Sequence, residues 1–200
     1  MGACCSSPEQ ETDPGKIMVK KSRSIKGTNE SLMDKVSDTH CALNTPTKPP
    51  FESNLESIVF GMGCFWGAER LFWNIDGVES TQVGYAGGYT INPTYKQVCS
   101  GKTGHTEVVR VIFDPSKVSL QSLIKTFFDE HDPTQYMQQG NDVGTQYRSA
   151  IYWTNKQQKQ VALEGSKKFG AQLPASMQVK TEIKELKVFY YAEEKHQQYL

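Results

Sequence analysis

The amino-acid sequence predicts one domain in which a β-sheet is covered by helices, preceded by a long polar tail. Residues 106–113 form a predominantly apolar run that ends at Asp114-Pro115, which is typical of a strand. Apolar residues recur at steps of three and four over 120–128, which is typical of an amphipathic helix. Both kinds of segment alternate after residue 52, and such mixed elements pack as helices on a sheet.

The elements follow one another along the chain between recognisable boundary residues. The predicted strands lie at 57–60, 106–113, 149–153 and within 179–191. The predicted helices begin at Cys64, Leu120 and Lys156, with a short helix near the C-terminus. Ser119 is placed to cap the second helix, because its side-chain oxygen can accept from a free N–H of the first turn. Residues 84–104 are rich in Gly and Tyr and predict a loop.

Residues 1–52 are predicted to form a disordered tail, and residues 53–200 are predicted to form the folded domain. The tail is rich in Ser, Thr, Pro, Lys and Glu, and its apolar residues show no sustained period. The first six residues, MGACCS, match an acylation pattern, with Gly2 as the myristoylation site. A single myristoyl chain binds a membrane only marginally, so Cys4 or Cys5 is a candidate for palmitoylation. Residues 16–26 add five basic residues and no acid; the alternative is a chance match at an ordinary N-terminus.

Composition limits the classes of function. The chain carries 22 basic and 22 acidic side chains, so its overall charge offers no reason to bind nucleic acid. An apolar signal segment and C-x-x-C spacing are both absent from the sequence, which favours a cytoplasmic protein with free thiols, partly membrane-associated if acylated. A monomer is expected. The spacing of His105, His131 and His196 matches no compact ligand set, so no metal site is predicted.

Cys64 is the first candidate for chemistry. It follows an apolar strand, begins a helix and precedes Phe65 and Trp66. A thiol in the first turn of a helix lies beside unpaired N–H groups and the positive end of the helix dipole, which favour the nucleophilic thiolate. The alternative is a buried cysteine of the core, a common fate of a lone thiol.

Glu107 is the second candidate. In the alternation of the strand over 106–113 it shares a face with Val109, Val111 and Phe113, while Arg110 points to the other face. A carboxyl on an apolar face loses solvation, which raises its pKa and keeps it protonated near neutral pH. The alternative is a carboxyl that reaches solvent at the start of the strand.

Five short strings occur in order and together resemble peptide methionine sulfoxide reductase type A, the family specific for the S epimer. They are GMGCFWGAE at 61–69, GYAGG at 84–88, GHTE at 104–107, HDPTQ at 131–135 and GNDVGTQYRS at 140–149. The resemblance extends from about residue 58 to residue 200. It implies an α+β, ferredoxin-like two-layer sandwich with one mixed sheet.

The resemblance also assigns roles to residues. It implies that Cys64 attacks the sulfoxide, that Glu107 donates the proton, and that the reaction leaves Cys64 as a sulfenic acid. The remaining implied roles are a methyl pocket at Phe65 and Trp66, hydrogen bonds to the sulfoxide oxygen from Tyr95 and Tyr147, and a water-mediated acid at Asp142. The implied substrates are oxidised proteins and free methionine sulfoxide, with no bound cofactor and with thioredoxin or another thiol as reductant.

The route by which the sulfenic acid is reduced stays open at the level of sequence. Most relatives use a recycling cysteine in a glycine-rich tail just beyond the position of Leu200, which is the last residue of this sequence. A truncated form, a resolving role for Cys99, or direct reduction by an external thiol are the alternatives, and Cys99 is equally compatible with a free loop thiol. A thiol peroxidase, and a module that binds methionine sulfoxide without turnover, remain the other candidate classes.

Overall fold

A six-stranded mixed sheet organises the computed structural model, which describes residues 13–200. The strands of this sheet are β1 (Glu56–Met62), β2 (Val78–Ala86), β3 (Thr106–Phe113), β6 (Ser149–Trp153), β7 (Glu182–Glu185) and β8 (Phe189–Tyr191). A separate hairpin pairs β4 (Gln138–Gln139) with β5 (Asp142–Val143). The helices are α1 (Phe65–Trp73), α2 (Tyr95–Cys99), α3 (Leu120–Asp129) and α4 (Lys156–Gly170).

The topology confirms the predicted ferredoxin-like, α+β fold. The strand order is β7-β6-β1-β3-β2-β8, and the central elements β1-α1-β2-β3-α3-β6 follow the βαββαβ arrangement of that fold. The pairs inside this unit are antiparallel, whereas β6 and β7 are parallel, so the sheet is mixed. The centre of the sheet is β1, where Phe60 is paired with Val109 of β3 and Ile151 of β6.

The main core lies between one face of the sheet and helices α1, α3 and α4. Phe60 is fully buried and stacks on Phe72 of α1 and Phe127 of α3, with ring centroids 4.9 and 5.4 Å apart. The predicted alternation of β3 is confirmed, because Val109 belongs to this core and Val108 to the cluster on the opposite face. Glu107 therefore lies at the end of the helix-covered face.

The opposite face of the sheet is covered in part by the segment before β1. Phe51 lies against the Arg110 guanidinium, whose carbon is 5.4 Å from the ring centroid. Tyr191 of β8 donates a hydrogen bond of 2.8 Å to the Thr47 carbonyl. His40 of the same segment is fully buried on the helix-covered side, against Trp73 of α1. The prediction of a disordered tail therefore differs from the structure over residues 13–52. The predicted acylation residues, Gly2, Cys4 and Cys5, lie outside the described residues.

Local boundaries were predicted with mixed success. The strand over 106–113 and the Ser119 cap are confirmed, with Ser119 Oγ accepting from the Ser122 N–H at 3.1 Å. Strand β2 was missed, because buried polar residues such as Gln82 interrupt any apolar alternation. The predicted loop over 84–104 begins within β2 and contains α2, and the predicted terminal helix is a single 3-10 turn at Glu194–His196.

Within residues 13–200, no helix combines the length and the apolar character that a membrane span requires.

Candidate active site

Cys64 lies in the turn between β1 and α1, where it is the N-cap residue of the helix. Gly63 has a φ of 85°, and a Cβ there would lie 2.6 Å from Cβ of Gln139. This close approach, which only a glycine permits, brings the β4–β5 hairpin against the turn. A groove of about 500 Å³ opens beside the half-buried Cys64 and is also lined by Leu71 and Asp142.

The electrostatic surroundings of the Cys64 thiol differ from the prediction. Burial raises its pKa above the usual value, and the backbone N–H groups of Trp66 and Gly67 lower it less than burial raises it. The charges of Glu107 and Asp142 raise it further. The predicted helix N–H groups are thus in place, but the resting residue is a thiol because desolvation of the charged form outweighs them.

Glu107 is almost fully buried, at 1% exposure, and faces the start of α1. Its Oε2 accepts a hydrogen bond of 3.2 Å from the Phe65 N–H. Burial raises the pKa of the carboxyl to about 8, the Phe65 N–H lowers it, and Asp142 raises it. The group is therefore mainly protonated at neutral pH. It is hydrogen-bonded to the residue that follows Cys64, which places it close enough to the nucleophile to act as a general acid.

Phe65 and Trp66 present two different environments. Phe65 is buried in the core, whereas Trp66 is half-buried, as its position off the core stripe predicted. The Trp66 indole is fixed from the C-terminal side: its Nε1–H donates to His196 Nδ1 at 3.2 Å, and its ring stacks on Tyr199 with centroids 4.1 Å apart. The two neighbouring rings are 6.5 Å apart between centroids.

Tyr95 and Tyr147 belong to two separate elements, and both lie near the carboxyl of Glu107. Tyr95 is the first residue of α2, and its N–H donates to Glu193 Oε1 at 2.8 Å. Tyr147 ends a 3-10 turn that follows β5. Burial raises the pKa of both hydroxyls, that of Tyr147 to about 12, with further contributions from the charge of Glu107. Both therefore remain hydrogen-bond donors throughout the physiological range.

The two remaining site residues lie at the edge of this cluster. Asp142 is exposed in β5 and lines the groove with Cys64. Cys99 ends α2, one helical turn after Tyr95, and each of the two side chains perturbs the pKa of the other. Partial shielding from water raises the pKa of the Cys99 thiol, and among residues 13–200 the cysteines are all free. The structure thus brings together every predicted site residue that it describes.

Sequence reasoning missed the contribution of the C-terminal segment. His196 and Tyr199 contact Trp66, and Glu193 accepts hydrogen bonds from the Tyr95 backbone and the Tyr85 hydroxyl. These contacts span about a hundred residues of chain, so the only available signal was the cluster of polar and aromatic residues near the end of the sequence.

A buried polar network connects the C-terminal segment to α1. Glu69 of α1 is fully buried and accepts two hydrogen bonds of 2.7 Å from the backbone and side chain of Gln198. Thr81 also donates to Glu69, at 3.1 Å, and Nε2 of the neutral His40 lies 2.9 Å from Thr81 Oγ1. Burial raises the pKa of Glu69 to about 7. The network joins the N-terminal segment, the sheet, α1 and the C-terminal segment.

Comparisons with known proteins all indicate the same protein family. A family model described as peptide methionine sulfoxide reductase matches residues 56–200. The chain is 56% identical over 167 residues to a peptide methionine sulfoxide reductase MsrA of Rhodospirillum centenum, covering 82% of this chain and 76% of the relative. It is 50% identical over 190 residues to the mitochondrial peptide methionine sulfoxide reductase of Rattus norvegicus, covering 94% and 81%.

A solved structure agrees with the sequence comparisons. Methionine sulfoxide reductase A of Corynebacterium diphtheriae superposes with a TM-score of 0.86 at 42% identity, covering 92% of this chain and 90% of that chain.

Proposed function

Because this chain belongs to the peptide methionine sulfoxide reductase family, and is therefore an oxidoreductase, we propose that it reduces peptide-bound and free methionine S-sulfoxide through Cys64. The observation that carries this proposal is the protonated Glu107 carboxyl beside the Cys64 turn. A sulfoxide oxygen leaves only when it receives a proton, and an exposed carboxyl is ionised near neutral pH.

In the proposed first step, the Cys64 thiolate attacks the sulfoxide sulfur and forms a bond to it, while Glu107 protonates the oxygen. The protonated oxygen then moves from the substrate sulfur to Cys64 Sγ as the bond between the two sulfurs breaks, which leaves Cys64 as a sulfenic acid and releases methionine. Tyr95 and Tyr147 donate hydrogen bonds to the oxygen, and the S-methyl group contacts Phe65 and Trp66. Atoms balance, because one thiol and one sulfoxide give one sulfenic acid and one thioether.

The protonation state of Glu107 serves the nucleophile as well. A neutral Glu107 removes the nearby negative charge that opposes the Cys64 thiolate. The N–H groups of Trp66 and Gly67 then remain to stabilise the developing charge. Asp142, which lines the groove, acts through water on the same pair.

The second half of the cycle reduces the Cys64 sulfenic acid. A thiol attacks the sulfenic sulfur, a disulfide forms and water leaves. Either Cys99 supplies this thiol or an external thiol attacks directly; thioredoxin or another thiol then reduces the disulfide. The position of Cys99 on α2, four residues after Tyr95, favours Cys99, because it places that thiol beside a site residue.

The proposed location is the cytoplasm, with reversible membrane attachment through a myristoylated Gly2 and a palmitoylated Cys4 or Cys5. The protein is proposed to act as a monomer. The support is the MGACCS pattern and the basic run over 16–26.

A single-turnover experiment tests the proposal. The reduced protein is mixed with one equivalent of a methionine S-sulfoxide peptide, and methionine and the mass of the protein are measured. We expect one methionine per Cys64 oxidised, none with Cys64→Ser, and undiminished formation with Cys99→Ser. Oxidation of Cys64 by hydrogen peroxide without methionine formation would indicate a thiol peroxidase, and binding without product would indicate a recognition module.

A further inference from the structure

A second groove lies on the other side of the β4–β5 hairpin. It has a volume of about 460 Å³ and is bounded by the N-terminal segment, the loop after α2 and the residues after β5. Its apolar wall includes Ile17, Met18, Val19 and Val143. Ile17 and Val143 are 56% and 44% exposed, which is unusual for aliphatic side chains so close together.

The charged side chains of this groove all have one sign. Lys20, Arg23 and Lys102 line it, and its lining includes no carboxylate. Among the residues that the structure describes, none of these three cations has a carboxylate oxygen within 4.0 Å. Lys117, by contrast, is paired with Glu79 at 2.6 Å. The groove therefore has unneutralised positive charge.

The groove is fixed to the catalytic elements at both ends. Lys16 Nζ donates to Gln138 Oε1 of β4 at 2.7 Å, and β4 pairs with the strand that carries Asp142. The Ile25 N–H donates to the Lys102 carbonyl at 3.1 Å. Cys99, which shares helix α2 with Tyr95, lines the groove itself. The groove thus adjoins the reacting site.

We propose that this basic groove binds acidic side chains that flank the methionine sulfoxide of a polypeptide substrate. The inference rests on the proposed function, because it concerns residues on either side of the reacting methionine. An extended polypeptide advances about 3.3 Å per residue, so residues a few positions from the methionine extend beyond the site into neighbouring surface. The apolar wall contacts the backbone and aliphatic parts of this segment, and the three cations contact its carboxylates.

The expected preference is modest, because exposed ion pairs are weak. Two or three such pairs correspond to a preference of about three- to tenfold in kcat/KM for an acid-flanked peptide over a neutral one. The preference resides in KM, because the flanking contacts exist before and during the chemical step. It disappears at about 1 M salt, where the screening length is about 3 Å.

The test measures kcat/KM of the full chain for three methionine S-sulfoxide peptides that differ only in flanking Asp, Ser or Lys residues. In wild type we expect the order Asp, Ser, Lys. In the double variant Lys20→Glu/Arg23→Glu the Asp-to-Ser ratio falls to one or below. The matched control, Lys156→Glu/Lys167→Glu, makes the same charge change on exposed residues of α4 and keeps the wild-type ratio.

The outcomes separate this inference from the function on which it rests. If wild type reduces none of the three peptides, the proposed function fails. If it reduces the Asp and Ser peptides equally, or if both double variants change the ratio alike, the groove is not a substrate site. An unchanged ratio in Lys20→Glu/Arg23→Glu, together with lost binding to phosphatidylserine vesicles, would assign the segment to a membrane surface instead.

Discussion

Replacing Glu107 with glutamine tests the chemistry at its most specific point. The change keeps the shape of the side chain but removes the acidic proton. With a pKa of about 8, the carboxyl is about 90% protonated at pH 7, whereas a carboxyl at 4.5 would be about 0.3% protonated. Burial therefore raises the protonated fraction about 300-fold. Loss of a positioned proton donor of this kind costs about 10²–10⁴ in rate.

The pH profile separates an acid from a merely structural residue. The productive form has Cys64 ionised and Glu107 protonated, which means that the pair has lost one of its two protons. The wild-type rate is therefore highest between the two pKa values of the pair. Above the higher pKa of the pair the rate falls, because Glu107 has lost its proton. Glu107→Gln should lack this alkaline limb. It should also lower the pKa of Cys64, because the carboxylate charge that raises it is gone.

The assay is single-turnover methionine formation by rapid quench between pH 6 and 10, with iodoacetamide alkylation reporting the ionisation of Cys64. Glu185→Gln, an exposed carboxyl on β7, is the matched control and should behave as wild type. A loss of less than about tenfold in Glu107→Gln, or retention of the alkaline limb, would refute the assignment of the proton donor.

Three further predictions concern the surroundings of the site. The pKa of Glu69 in the folded protein is raised to about 7. Its contribution to the free energy of unfolding is therefore present below about pH 4.5 and is lost as the pH rises through 7. In urea titrations, Glu69→Gln should remove about 3 kcal/mol of this pH dependence. Tyr199→Ala removes the ring stacked on Trp66, so KM for the sulfoxide should rise more than kcat falls, and indole fluorescence should shift to longer wavelength; an unchanged KM would contradict this. Gly2→Ala should abolish membrane recovery in fractionated cells, and equal membrane fractions for both proteins would show that MGACCS is a chance match.

Much of the site was predictable because its signals are local. The position of Cys64 follows from a strand, a glycine turn and a helical stripe that are adjacent in sequence. The burial of Glu107 follows from the alternation of one strand, which the structure confirms. The assignment of roles to Tyr95, Tyr147 and Asp142 depended on resemblance, because a tyrosine or a turn aspartate has no local pattern that distinguishes a functional residue from a packing one.

The sequence by itself determined which residues face the core in β3 and α3, since period and capping depend on neighbours within a few positions. Only the tertiary structure decided the net pKa of Cys64, because desolvation depends on everything packed around the thiol. It also decided that Val36, His40 and Thr47 of the N-terminal segment are buried and that His196 holds Trp66 across 130 positions. Individual contacts at such separation follow no period, and they form only when the folded sheet and helices bring distant segments together.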